Sequence, residues 1–161
     1  SGETAAGKYP VEAVEAMAKI ARHTEKNIHY NKRFKNAEFR IKNKVDAISH
    51  ATCGMSIDLD AKAIVVCSMS GMTVRMVSRF RAPSHIIGMT TDKKVWHKLA
   101  LSWGVTPVLT QAFESTEVLF YHATEQAKQL MNLHKGDNII ITGGITNGQS
   151  GNTNLIKVET V

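Results

Sequence analysis

The residues best suited to chemistry stand in two clusters. The first, Ser68-Met69-Ser70-Gly71-Met72-Thr73, follows the apolar run Ala63-Ile64-Val65-Val66-Cys67 and precedes a helical pattern. Hydroxyls and a glycine at a helix start can hold an anion. Free backbone N–H groups point outward there, and the helix dipole favours negative charge. The same six residues also fit an ordinary helix start capped by Ser70 or Thr73, and they lack the full Walker spacing. The second cluster runs from Thr142 to Thr153 and holds four glycines among hydroxyl and amide side chains. Its candidate contact residues are Gly143, Gly144, Asn147, Gly148, Ser150 and Gly151. A connection this long and this poor in apolar residues suits a binding loop. A plain surface loop fits the composition equally well.

The remaining reactive residues form no constellation. Cys53 and Cys67 sit among apolar neighbours without CxxC spacing, which suits buried, reduced thiols. The seven histidines are scattered, and no two stand at HxxxH spacing with an acid between them. No paired carboxylates flank the two clusters, and no Gly-x-Ser-x-Gly elbow is present. The expectation is therefore no catalytic residue and no metal site. The two clusters suit recognition of a phosphorylated small molecule without chemistry on it.

Charge is concentrated in one place. Lys26, Lys32, Arg33, Lys35, Arg40, Lys42 and Lys44 face a single acid, Glu38, so this stretch accounts for the whole net charge of +6. A basic stretch can be a nucleic-acid footprint. Tyr30, Phe34 and Phe39 interleave the bases, but no nucleic-acid-binding signature accompanies them. The preferred reading is a solvated linker facing an acidic neighbour, and nucleic acid is not expected as a partner. No apolar run approaches the roughly 20 residues that span a bilayer, so no membrane is expected. The N-terminal residues show no secretory pattern, and a cytoplasmic location is expected.

The surrounding pattern must position these clusters. Pro10 opens a helical repeat to about Asn27, and Asn43 is a good cap for a second helix with Val45, Ile48, Thr52 and Met55 on its apolar face. Short apolar runs at 63–67, 85–89, 105–109, 138–141 and 153–159 read as strands. Helices are expected at 73–80, 92–103 and from Ser115 or Thr116 to about Leu133. Alternation of this kind gives right-handed βαβ units. The expected fold is α/β: a Rossmann-like three-layer αβα arrangement, with a mainly parallel five-stranded sheet. The last strand, reached without a helix, should be antiparallel. In such a sheet ligands bind at the carboxyl ends of strands, where both clusters fall.

These residues resemble the pyruvate kinase family. Ser1-Gly2-Glu3-Thr4-Ala5-Ala6-Gly7-Lys8-Tyr9-Pro10 is similar to that family's SGETAxGxYP segment. The strand–SxSGxT–helix unit, Arg79-Phe80-Arg81-Ala82-Pro83, Lys135-Gly136-Asp137 and Gly151-Asn152-Thr153-Asn154 resemble its C-terminal domain, in order. The resemblance implies that 1–27 close the catalytic (β/α)8 barrel, that 28–43 are a linker and that 44–161 are the C-terminal domain. It implies a parent enzyme that moves phosphate from phosphoenolpyruvate to ADP with Mg²⁺ and K⁺. The family's catalytic groups precede this stretch, so the chain alone is expected to be inactive and to need no cofactor. It implies an effector site at Ser68–Thr73, closed by the Gly-rich loop, and homo-oligomers: a dimer here, a tetramer for the parent. The lysine some members carry in the loop is Met69, and the arginine that grips a second phosphate aligns with Leu119. Lost cations remove charge-assisted bonds. The expected effector is therefore a monophosphate (ribose 5-phosphate, glucose 6-phosphate or AMP) rather than fructose 1,6-bisphosphate. The alternative from a different class is a free-standing nucleotide- or nucleic-acid-binding module.

Overall fold

A computed structural model of the chain describes residues 1–144 and 151–161. The chain divides into two compact units, Ser1–Tyr30 and Asn31–Val161. The first carries α1 (Gly2–Ala6) and α2 (Pro10–Glu25), with Pro10 at the first helical position. The Glu3 carboxylate accepts the Tyr9 N–H at 2.6 Å and fixes the turn between them. No residue of α2 is buried, and Val11, Val14, Met17 and Ile20 lie on its exposed surface.

α3 (Tyr30–Asn36), a short helix inside the basic stretch that periodicity did not reveal, starts at the last residue of the first unit and otherwise belongs to the second. Next comes α4 (Lys44–Asp58), whose first turn is capped as expected: the Asn43 side chain accepts the Asp46 N–H at 2.9 Å. Then follow β1 (Ala63–Cys67), α5 (Met72–Arg79), β2 (His85–Thr90), α6 (Lys93–Leu99), β3 (Val105–Leu109), α7 (Thr116–Leu130), β4 (Asn138–Gly144) and β5 (Thr153–Thr160). The strand order is β3-β2-β1-β4-β5. All neighbours are parallel except β4 and β5, which pair antiparallel. This is the expected mixed sheet with helices on both faces.

Each face of the sheet has its own core. Ile64, Val66, Ile86 and Ile140 pack with Cys53 of α4, Val74 and Val77 of α5 and Leu99 of α6. Val65, Ile87, Ile139 and Ile141 pack with Phe120, Ala123 and Ala127 of α7 on the opposite face. Strand residues alternate between the two faces, so β1 and β4 are buried on both sides, and this is why they read as continuous apolar runs.

Two helices end earlier than periodicity suggested. α6 stops at Leu99, and Leu101 beyond its end is 92% exposed. α7 stops at Leu130 because Met131 turns extended, which lets Met131 and Leu133 pack on the second core instead.

Candidate functional site

The sheet order places the first cluster and the described ends of the second at one end of the sheet. From β1 the chain winds one way to β2 and β3, then returns to β4 on the other side of β1. Neighbouring parallel strands whose connections leave in opposite directions open a crevice at their carboxyl ends. Ser68–Thr73 leave the end of β1, and Gly143 and Gly144 close β4 beside it.

The start of the first loop is held by two hydrogen bonds to β2. The Ser68 N–H donates to the Met89 carbonyl at 3.0 Å, and the Thr90 hydroxyl donates to the Met69 carbonyl at 3.0 Å. Gly71 is the N-cap of α5, with φ of 70° and no side-chain cap. The cap is therefore neither Ser70 nor Thr73. The reason is steric: a Cβ on Gly71 would stand 2.8 Å from Val95 Cγ1 and 3.1 Å from Leu99 Cδ2, so only glycine lets α5 start this close to α6. Ser70 contributes differently, its hydroxyl accepting the Met72 N–H at 3.4 Å.

Exposure separates the loop residues. Met69, Ser70 and Met72 are exposed and Ser68 is half-buried, whereas Gly71 and Thr73 are buried. The Arg75 guanidinium reaches back over the loop, donating to the Ser70 carbonyl at 3.5 Å and lying 3.9 Å from Met72 Sδ. Arg79 turns away to Asp46.

The two clusters meet through a buried hydroxyl pair. Thr73 Oγ1 and Thr153 Oγ1 lie 2.7 Å apart, with the residues 3% and 4% exposed. Sequence reading marked Thr73 as an anion ligand and ended the second cluster at Thr153, but nothing in a pattern pairs residues 80 positions apart. Around this contact Gly143 packs against Cys67, where an added Cβ would meet Cys67 Cβ at 3.2 Å. Gly144 sits at a register shift opposite Thr153, and Gly151 has φ of 84°. Asn147, Gly148 and Ser150 lie outside the described residues.

Leu119, where the resemblance places a second-phosphate arginine, packs against the core under α7. Cys53 and Cys67 are buried free thiols, each pushed up to about 12 by desolvation, so neither is a thiolate at neutral pH. Among the described residues no group of three or more His, Cys, Asp or Glu side chains stands where it could hold a metal, and no helix is long and apolar enough to cross a membrane.

Comparison with known proteins now decides the family. Residues 46–159 match the family described as "Pyruvate kinase, alpha/beta domain". The chain belongs to the pyruvate kinase family. It is 40% identical over its whole length to the pyruvate kinase of Clostridium acetobutylicum, covering 34% of that protein. It is 37% identical over its whole length to those of Lactobacillus delbrueckii subsp. bulgaricus and Staphylococcus epidermidis, covering 28% of each. The chain thus spans about a third or less of the length of these curated relatives.

Proposed function

We propose that this chain is the allosteric and oligomerising C-terminal part of a pyruvate kinase, and that it binds a phosphorylated effector without catalysing a reaction itself. The parent enzyme would transfer phosphate from phosphoenolpyruvate to ADP in the cytoplasm, giving pyruvate and ATP. On this reading residues 1–27 are the end of its barrel. Mg²⁺ and K⁺ belong to the rest of that enzyme. No metal cluster stands among the described residues, so no metal step is assigned to this chain.

The observation that carries the reading is the meeting of Ser68–Thr73 with the described ends of the second cluster, Gly143, Gly144 and Thr153, beside the carboxyl ends of β1 and β4, through the Thr73–Thr153 pair. Their described residues offer hydroxyls, an amide and backbone N–H groups, which bind an anion without supplying an acid or a base. Arg75 lies close enough to add one cation. Leu119 is a partly buried aliphatic side chain packed against the core, so the position expected to grip a second phosphate offers no cation. That favours a monophosphate. For self-association, β3 is closed on its outer edge by Pro107, which lacks an N–H, whereas β5 offers an open edge for a second copy.

Thermal unfolding tests the effector reading, since a ligand bound only by the native chain raises the melting temperature. Ribose 5-phosphate, glucose 6-phosphate or AMP is expected to raise it, and Ser70→Asp, an exposed change that adds a negative charge, is expected to abolish the rise. A rise with fructose 1,6-bisphosphate alone would overturn the monophosphate assignment.

A further inference from the structure

The basic segment and the anion loop, far apart in sequence, are attached to opposite ends of one short helix. At the N-terminal end of α5, Thr73 holds Thr153. At the C-terminal end, Arg79 pairs with Asp46 Oδ1 at 3.4 Å and lies over the Phe80 ring at 4.8 Å. Phe80 is 1% exposed and forms the floor of an aromatic cluster. Its ring centroid is 4.8 Å from Phe39, 5.3 Å from His50 and 6.5 Å from Phe34.

Phe34 and Phe39 are the anchors of segment 31–43 in the core. Ile41, the other large apolar side chain of that segment, is 43% exposed. The segment's last fastening is the Lys42 N–H, which donates to Asp46 Oδ2 at 3.1 Å. One buried carboxylate therefore holds Arg79 of α5 with one oxygen and the end of the segment with the other. Asp46 is 3% exposed, and its other direct partner, the Asn43 side chain, accepts from its backbone N–H. Phe80 and the Asp46 carboxylate tie the segment to the last turn of α5, while Phe34 and Phe39 also pack on His50 of α4, with ring centroids 5.0 and 5.5 Å away.

An eight-residue helix of about 12 Å moves as a rigid piece at the 1.5 Å rise of an α-helix. Close-packed aromatic contacts do not stretch to absorb such a movement; they repack. From this geometry we infer that α5 is a lever: displacement of its first turn at Thr73 is delivered to the packing of segment 31–43, through Phe80 and the Asp46–Arg79 pair. The segment is the part of the larger unit that follows the first unit in the chain. An event at the loop therefore has a mechanical outlet toward the residues that join the two units. The inference gives the proposed effector loop an output. It needs only movement of α5, and not any particular ligand.

The test displaces α5 by mutation, so a failure of ligand binding and a failure of the lever are read separately. In the full chain, Thr153→Val removes the partner of Thr73, while Thr142→Val removes a comparable hydroxyl whose hydrogen bond goes to the Leu155 carbonyl and not to a residue of α5. Amide hydrogen exchange at 34–42 and the His50 ring resonances are the readouts. Thr153→Val is expected to speed exchange at the Lys42 amide by about two- to thirtyfold, the range for mutational coupling through packed residues, and to shift the His50 signals. Thr142→Val should leave both near wild type. Coupling between sites is reciprocal, so Arg79→Lys should in turn alter exchange of the Thr73 amide. Unchanged exchange at 34–42 in Thr153→Val, or equal changes in Thr153→Val and Thr142→Val, would overturn the lever.

Discussion

The loop at 68–73 and the segment at 31–43 both carry a chemical signal in sequence, and the structure treats them in opposite ways. In the loop, the polar side chains Ser68 and Ser70 reach solvent, while the glycine and Thr73 are buried to make the turn. In the segment, Lys32, Arg33, Lys35, Arg40 and Lys42 are exposed, and among the described residues none of them stands in an ion pair. What fixes the segment is the two phenylalanines between the bases: Phe34 stacks on His50 and Phe39 meets Phe80 edge-on. The same rings that could have stacked on nucleobases are spent on the core, which weakens the alternative of a nucleic-acid-binding module. A charge run thus said little about where its backbone goes, whereas a Ser-rich turn between a buried strand and a helix said a good deal.

Removing each kind of residue should separate the two roles. The largest effect is expected for Phe80→Ala, which deletes the ring on which Phe34, Phe39 and His50 converge. It should cost about 3–5 kcal/mol of unfolding free energy and expose segment 31–43 to hydrogen exchange ahead of the sheet. A loss under about 1 kcal/mol in urea unfolding would mean that the segment is held elsewhere. The smallest effect is expected for Lys32, Arg33 and Lys35 changed singly to Gln. Each should stay within about 0.5 kcal/mol of wild type, as exposed unpaired charges do. A larger loss at any of them would mean that the charge, and not the aromatic anchor, places the segment.

The same contrast explains what could be read before the structure was known. Runs such as Ile64-Val65-Val66 and Ile139-Ile140-Ile141 declare a strand buried on both faces, and the chain order between them leaves few topologies, so the sheet was legible. The caps Asn43 and Ser115 were legible because each acts on an N–H within three residues. α3 was not, because its stability comes from Phe34 meeting a core built by residues far along the chain. At the site, the loop and its place at a strand end were visible. The choice of Gly71 as cap was not, because it depends on Val95 and Leu99 crowding from α6. The Thr73–Thr153 pair was hidden for the same reason: it exists only after β4 and β5 have folded back beside β1.

That pair is also where the account is most exposed. If the two loops form one anion site, backbone amide resonances should follow ribose 5-phosphate in a single titration of the whole chain. The account predicts that the Gly71, Met72 and Thr73 amides and the Thr153 amide shift together and saturate with the same Kd. Shifts confined to one loop, different midpoints for the two loops, or shifts elsewhere with both loops silent would contradict it.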